Sequence, residues 1–247
     1  MMNEKIIIGK HTLESLTSGM YSDSYVVFRE YIQNSVDSID AAIKSGILMS
    51  GEEQIIVQLR PTEQEIIIRD NGTGIACNEA EKILISIGNS QKTSESSRGF
   101  RGIGRLAALS YCKKLVFQTS FLGESKATTI TIDADKLSDL LLDSSDIDAS
   151  VVDVLQKVYE VKTKPEKENA HYFIVRLIGV DENSRLNDYD DVVDYLSQNT
   201  PAPYNPEFVW GKEICNRLHK EGCKIQAYNI VVQFGTTVQA VYKPYKD

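Results

Sequence analysis

The stretch "IIIRDNGTGI", Ile66 to Ile75, runs a block of β-branched residues into an acid and then into two glycines spaced by one threonine. Asn-Gly after an apolar strand is the strongest short signal for a β-hairpin. The same letters also suit a turn that lays its backbone against a nucleotide, because glycine brings no Cβ to the contact. The flanking sequence has to decide between a hairpin and a nucleotide site.

Upstream, "YSDSYVVFREYIQNSVDSIDAAIKSG", Tyr21 to Gly46, places Phe28, Ile32, Val36 (or Ser35), Ile39 and Ile43 at a helical period. Asp23 or Ser24 is expected to cap this helix and Gly46 to stop it. Glu30, Asn34 and Asp37 stand at i, i+4 and i+7, which stacks them on one face away from the apolar stripe. Two acids at that spacing are ordinary solvated charge, but an asparagine between them beside the small Ser35 and Ser38 is less so. "EQIIVQLRPTEQEIIIRD" then reads as two strands joined at Pro61 to Gln64, the second delivering Asp70 at its C-terminal end.

Downstream, "NEAEKILISI" reads as a short helix, and "GNSQKTSESSRG", Gly88 to Gly99, has loop composition. "RGFRGIGRLAAL", Arg98 to Leu109, is a glycine-punctuated loop opening the helical "IGRLAALSYC". Six of the 15 glycines fall between Gly72 and Gly104, three times what even scatter would place there. Such a loop brings backbone N–H groups onto phosphate, although close helix–strand packing would use glycine too. "GNSQKTS" lacks a glycine before Lys92 and so is not the G-x-x-x-x-G-K-[ST] loop, while "GFRGIG" reverses the dinucleotide fingerprint. A nucleotide site here must be of another kind.

The 247 residues carry a formal charge of −8 with a pI near 5.1, so the basic footprint of a phosphate-backbone binder is missing and no nucleic-acid contact is expected of this acidic chain. No run of eighteen apolar residues occurs, and the N-terminus has only a short apolar run, which points to a cytoplasmic protein without a membrane segment. Cys77, Cys112, Cys215 and Cys223 form no C-x-x-C pair and the three histidines are scattered, which gives no sequence support for zinc. "KLVFQTS", "KATTITID" and "HYFIVRLIGV" read as strands, and "DYDDVVDYLSQNTPAP" as a helix stopped by prolines. The acidic stretch 136–169 is mixed and carries no clear period. From 204 to 247 the chain reads as the start of a following domain.

In order along the chain, E-x-x-x-N-x-x-D on a helix, D-x-G-x-G after a strand and G-x-x-G-x-G opening a helix together resemble the ATP-binding fold shared by gyrase, heat-shock chaperones, histidine kinases and mismatch-repair ATPases, the GHKL superfamily. "LESLTSGMYSDSYVVFREYIQNSVDSIDAA" and "ENAHYFIVRLIGVDEN" are most similar to the ninety-kilodalton heat-shock chaperones. The resemblance implies an α/β two-layer sandwich, a mixed β-sheet covered on one face by helices, over residues 1–203, with a lid near 76–98 and a truncated middle-type or transducer domain in 204–247. It makes the Asn-Gly part of a base-binding turn and not a hairpin.

It further implies ATP and Mg²⁺ as ligands. Asp70 would accept the exocyclic amino group of adenine, with Gly72 and Gly74 clearing space for the base. Asn34 would offer its amide oxygen to Mg²⁺, and Asp37 would act through water. Glu30 would orient and deprotonate the attacking water. Gly99, Gly102, Ile103, Gly104 and Arg105 would meet the phosphates with backbone donors, and Asn89 and Ser90 would contribute from the lid. The chaperones have a lysine where this chain has Asn89, with Lys92 nearby, and a threonine near adenine where it has His171. The leading expectation is a chaperone-like ATPase that hydrolyses ATP slowly as a conformational switch, homodimeric in its full-length form and acting on a protein client. A DNA-transaction ATPase of the same superfamily and a nucleotide-binding module without turnover are the rivals.

Overall fold

The computed structural model describes residues 23–85, 104–142, 151–223 and 225–245. Helix α1, Val26–Lys44, buries Phe28, Tyr31, Ile32, Ser35, Val36, Ile39 and Ala42, the i+3/i+4 stripe that its sequence announces. Its start differs from the expected cap. Tyr25 occupies the cap position without a side-chain cap bond, and the Asp23 carboxylate instead accepts the N–H of Tyr25 at 3.1 Å. Gly46, at φ +74°, lets the chain leave the helix as expected.

Strands β1, Ile55–Arg60, and β2, Glu65–Asp70, form an antiparallel pair. Helix α2, Cys77–Ile85, follows the glycine turn 71–74, the expected base turn, and a 3-10 helix, Gly104–Ser110, leads into β3, Lys114–Ser120, and β4, Lys126–Asp133. The expected helix over "IGRLAALSYC" is thus the tighter 3-10 form where it is described. The stretch 136–169, opaque in sequence, lies within α3, Ala134–Leu142, α4, Val151–Gln156, and the edge strand β5, Tyr159–Pro165. Then come β6, Tyr172–Ile178, α5, Tyr189–Asn199, α6, Val209–Lys220, β7, Ile230–Phe234, and β8, Thr237–Ala240.

The eight strands make one mixed sheet in the order β5-β4-β3-β6-β2-β1-β7-β8, in which β1 and β7 are parallel and every other neighbouring pair antiparallel. Alternation along the strands sorts the residues between the two faces. Ile55, Val57 and Leu59, Ile66 and Ile68, Leu115 and Phe117, and Val175 and Leu177 are all 2% exposed or less and make the core with α1 and the other helices. The opposite face carries Arg69, Gln118, Tyr172, Ile174 and Glu65. Glu65 is buried there because two arginines hold it, Arg176 Nε at 2.7 Å and Arg60 at 3.4 Å.

The stretch 204–247, expected to open a following domain, hydrogen-bonds its strands β7 and β8 into this same sheet. Tyr228 ties its entry to the body, donating its N–H to Pro201 O at 2.9 Å and its hydroxyl to Asp40 on α1. Between these points α6 buries Gly211 alone and leaves Trp210 and Val209 exposed.

Because α1 fills the space over the sheet, truncating its central contact should open a cavity. Ile39→Ala, at a fully buried position, is expected to lower the unfolding free energy by about 2–5 kcal/mol in urea denaturation, while Met49→Ala at an exposed one changes it by less than about 0.5 kcal/mol.

Candidate functional site

Three segments far apart in sequence meet along α1. At its N-terminal half, Glu30 faces the start of the 3-10 helix so closely that a methyl group on Gly104 would lie 2.0 Å from Glu30 Oε2. One residue on, the Tyr31 hydroxyl donates to the carbonyl of Arg105 at 2.7 Å and pins that segment to the helix. Eight residues further along α1, Ser38 meets the base turn: its carbonyl accepts the N–H of Thr73 at 3.3 Å, and a Cβ on Gly72 would fall 2.7 Å from its carbonyl carbon. Glu30 and Ser38 are about 12 Å apart along the axis, and Asn34, half-buried, lies between them.

The base turn is built to hold one carboxylate. Asp70 ends β2 on the core-facing side, 1% exposed, and its Oδ1 accepts the N–H of Gly72 at 2.9 Å. The Ser35 hydroxyl, itself buried on α1, is its other donor. Both donors are neutral. Burial pushes the Asp70 carboxyl up to about 7, a rise that these two hydrogen bonds and the charge of the neighbouring Arg69 only partly offset. Gly74, at φ +66°, passes so near the sheet that a Cβ would sit 1.9 Å from Ser120 O, so a side chain fails there on both conformation and space.

Asn71 is not a hairpin residue. Its side chain accepts from Gln54 N at 2.9 Å and donates to Glu52 O at 2.8 Å, clamping the turn to the loop before β1. His171, immediately before β6, places Nδ1 2.9 Å from the Gly72 carbonyl, which can only accept, so the ring donates and supports the turn from behind. A hydroxyl does stand at the pocket floor, from β3. Thr119, 1% exposed, accepts the Ile75 N–H at 2.7 Å and donates to Tyr172 O at 3.2 Å. Sequence reasoning missed Thr119 and the role of Ser35, because a threonine in a strand and a serine in a helix stripe are both unremarkable. The signal was their parity: each is polar at a position where its element is otherwise apolar.

Glu30 shares its other oxygen with Arg29, 3.2 Å away, in a half-exposed pair. Asp37, one turn beyond Asn34, receives Gln33 Nε2 at 3.5 Å. Burial lowers the Arg105 guanidinium to about 10, which leaves it cationic at neutral pH. Among the described residues no cluster of three or more His, Cys, Asp or Glu could hold a metal ion. Of the sequence-derived site, Asn89, Ser90, Gly99, Gly102, Ile103 and Lys92 lie outside the described residues, as does most of the lid.

An acid on α1 thus meets the start of the 3-10 helix, and a second acid lies under a glycine turn further along the same helix. The family model described as histidine kinase-, DNA gyrase B- and HSP90-like ATPase matches residues 21–163, and the chain belongs to that family. It is 28% identical over 137 residues to a chaperone protein HtpG of Geobacter metallireducens, an alignment covering 48% of this chain and 21% of the relative. A chaperone protein HtpG of Alkaliphilus oremlandii is 26% identical over 249 positions, 86% of this chain and 38% of the relative. The chain therefore spans well under half the length of these curated relatives. Among the described residues no helix is long and apolar enough to cross a membrane.

The raised Asp70 carboxyl has a thermodynamic consequence. A carboxyl whose folded value lies above its unfolded one favours the fold below about pH 4 and loses that contribution as pH rises to about 7. Asp70→Asn, which stays neutral, should gain on wild type by about 1.4 kcal/mol per pH unit across that window and by nothing further above it, read as the difference in urea unfolding free energy without nucleotide. A difference that is flat from pH 4 to 7 would mean that Asp70 is ionised in the folded protein.

Proposed function

We propose that the chain binds ATP with Mg²⁺ and hydrolyses it slowly, as the switch of a chaperone-like ATPase. The observation that carries this reading is the convergence on α1: the Glu30 carboxylate against Gly104 at one end, the buried Asp70 and its glycine turn at the other, with Asn34 between. On this reading adenine lies in the base turn and donates its amino group to Asp70, whose ionised form that contact favours. Guanine presents an oxygen at the same place and leaves a buried carboxylate facing a lone pair. Thr119, His171 and Ser35 fix the turn so that little reorganisation is needed on binding.

The donor set around Asn34 fits a magnesium ion that arrives on phosphate. One neutral amide oxygen with the Asp37 carboxylate a turn away suits a hard ion that keeps most of its shell from phosphates and water, and among the described residues no closed protein cage competes with that arrangement. When bound, magnesium neutralises charge on the phosphates. Glu30 holds the attacking water and takes its proton, and its place against Gly104 fixes which water that is. Arg29, paired with the other oxygen at 3.2 Å, restrains this carboxylate. Gly99, Gly102, Ile103, Gly104 and Arg105 contribute backbone donors to the phosphates, and Asn89 and Ser90 reach them from the lid. Residues 204–247 lead towards a second domain that supplies a further cation, so residues 1–247 alone turn over slowly. Homodimerisation and a protein client belong to the longer protein, and a cytoplasmic setting fits both.

Hydrolysis and binding separate at Glu30. Glu30→Gln should bind nucleotide within a few-fold of wild type in calorimetry yet lose about 10²–10⁴ in single-turnover hydrolysis. Gly104→Ala forces that carboxylate aside and should show the same split, whereas Asp70→Asn should lose binding. If Glu30→Gln hydrolyses at the wild-type rate, the base is another group.

A further inference from the structure

The face of the sheet turned away from the helices holds a groove of about 710 Å³ whose Arg69, Lys167 and Asn169 the nucleotide reading does not use. Its floor is one row across three strands. Arg69 of β2 pairs with Ile174 of β6, which pairs with Gln118 of β3, and all three point opposite to Asp70, Phe173 and Thr119. Tyr172 stands beside them, and the 166–171 loop with Lys167 and Asn169 makes a wall.

The polar groups of this groove are unevenly satisfied. The acceptors are engaged: Glu166 takes the Tyr172 hydroxyl at 2.7 Å on one oxygen and the Lys167 N–H at 3.0 Å on the other, and Glu52 takes the Met49 N–H at 3.3 Å. The donors are open. Arg69 lies with its guanidinium carbon 5.4 Å from the centre of the Tyr172 ring and makes no hydrogen bond or ion pair among the described residues. A guanidinium over a ring face can still present its N–H groups, and such a fork suits a planar or tetrahedral oxyanion. The Tyr172 ring is itself fixed, since its hydroxyl also accepts from Gln118 Nε2 at 2.8 Å. The side chains of Lys167 and Asn169 likewise have no hydrogen-bond partner among the described residues.

We propose that this groove is a second binding site, for a small ligand bearing a carboxylate or phosphate group, held by the Arg69 fork and by Lys167 with Asn169 beside them. The two carboxylates in the lining set its selectivity. Glu52 and Glu166 beside the donors repel a long polyanion, so a small ligand that sets one oxyanion group on Arg69 is favoured over an extended one. The apolar side chains of Leu48, Ile174 and Ala170 leave room for a short carbon body next to that group. The proposed donors Arg69, Lys167 and Asn169 take no part in the proposed ATP site, although Asn71 and His171 of the groove wall also brace its turn.

A ¹H–¹⁵N NMR titration of the whole chain, without nucleotide, with inorganic phosphate in one arm and succinate in the other, tests this. The expected result is saturable shifts at Arg69, Lys167 and Tyr172 with at least one probe, weakened about tenfold in Arg69→Gln and also reduced in Lys167→Gln. Asn34→Ala, on the other face, should leave them unchanged. Arg69 is exposed, so its variant should keep the wild-type spectrum away from the groove. Saturation by phosphate alone identifies a phosphoryl ligand, by succinate alone a carboxylate, and by both a site that reads the oxyanion itself. Absence of saturable groove shifts with either probe, or equal affinity in Arg69→Gln, overturns the proposal whatever the ATPase assays show.

Discussion

A turn that must touch a helix with nothing between them governs this molecule. The base turn approaches α1 at Gly72 and Ser38 so closely that even a methyl group would overlap the backbone of the helix. That contact sets the height of α1 over the sheet. From it follow the overlap of Ser35 with Asp70 and the distance at which Glu30 reaches Gly104. Gly74 repeats the constraint on the sheet side against Ser120. The two glycines act as spacers of zero thickness, and the walls of the pocket are held by backbone, which deforms less readily than side chains do.

Two buried carboxylates show how differently one fold treats an acid. Glu65, on the open face, is held by Arg60 and Arg176 and is spent on joining β1, β2 and β6. Asp70, on the covered face, has two neutral donors and no ion pair among the described residues, and the charge of the neighbouring Arg69 offsets its burial only in part. An ion deprived of water and given no counter-ion is costly in the empty protein, and that cost is relieved by a ligand that brings donors of its own. The first acid is a structural fastening and the second is held in readiness for something else. Burial alone would not tell them apart; the charge of the partners does.

Much of this was legible in the letters. The stripe on α1, the paired strands ending at Asp70 and the spacing of Glu30, Asn34 and Asp37 are period signals, and a period survives translation into structure because packing requires it. The helix start was misread because Asp23 bonds the N–H of Tyr25 before the helix begins, a shift of two residues that composition does not encode. β5 went unread because, as an edge strand, it buries almost nothing and so carries no alternation. α6 was not singled out in the sequence either, and it buries only Gly211. In the site, charged groups at glycine turns were conspicuous. Thr119 was hidden, since its meaning depends on which strand lies beside β3, and that is fixed by the register Thr119 to Phe173 and Phe173 to Asp70, not by anything local.

The parallel pairing of β1 with β7 makes the order of synthesis matter. Gln58 and Gln233 are joined side chain to side chain across 175 residues of chain, while β2, β3 and β6, the strands around the glycine turn, are complete by Ile178. A nascent chain emerging from the ribosome can therefore assemble the pocket while β1 still lacks its outer neighbour, with its hydrogen-bonding edge bare. Contacts of such long separation are the slow ones to form. A ligand that holds α1, β2 and β6 together during that interval would act on the yield of folded protein as well as on its later behaviour.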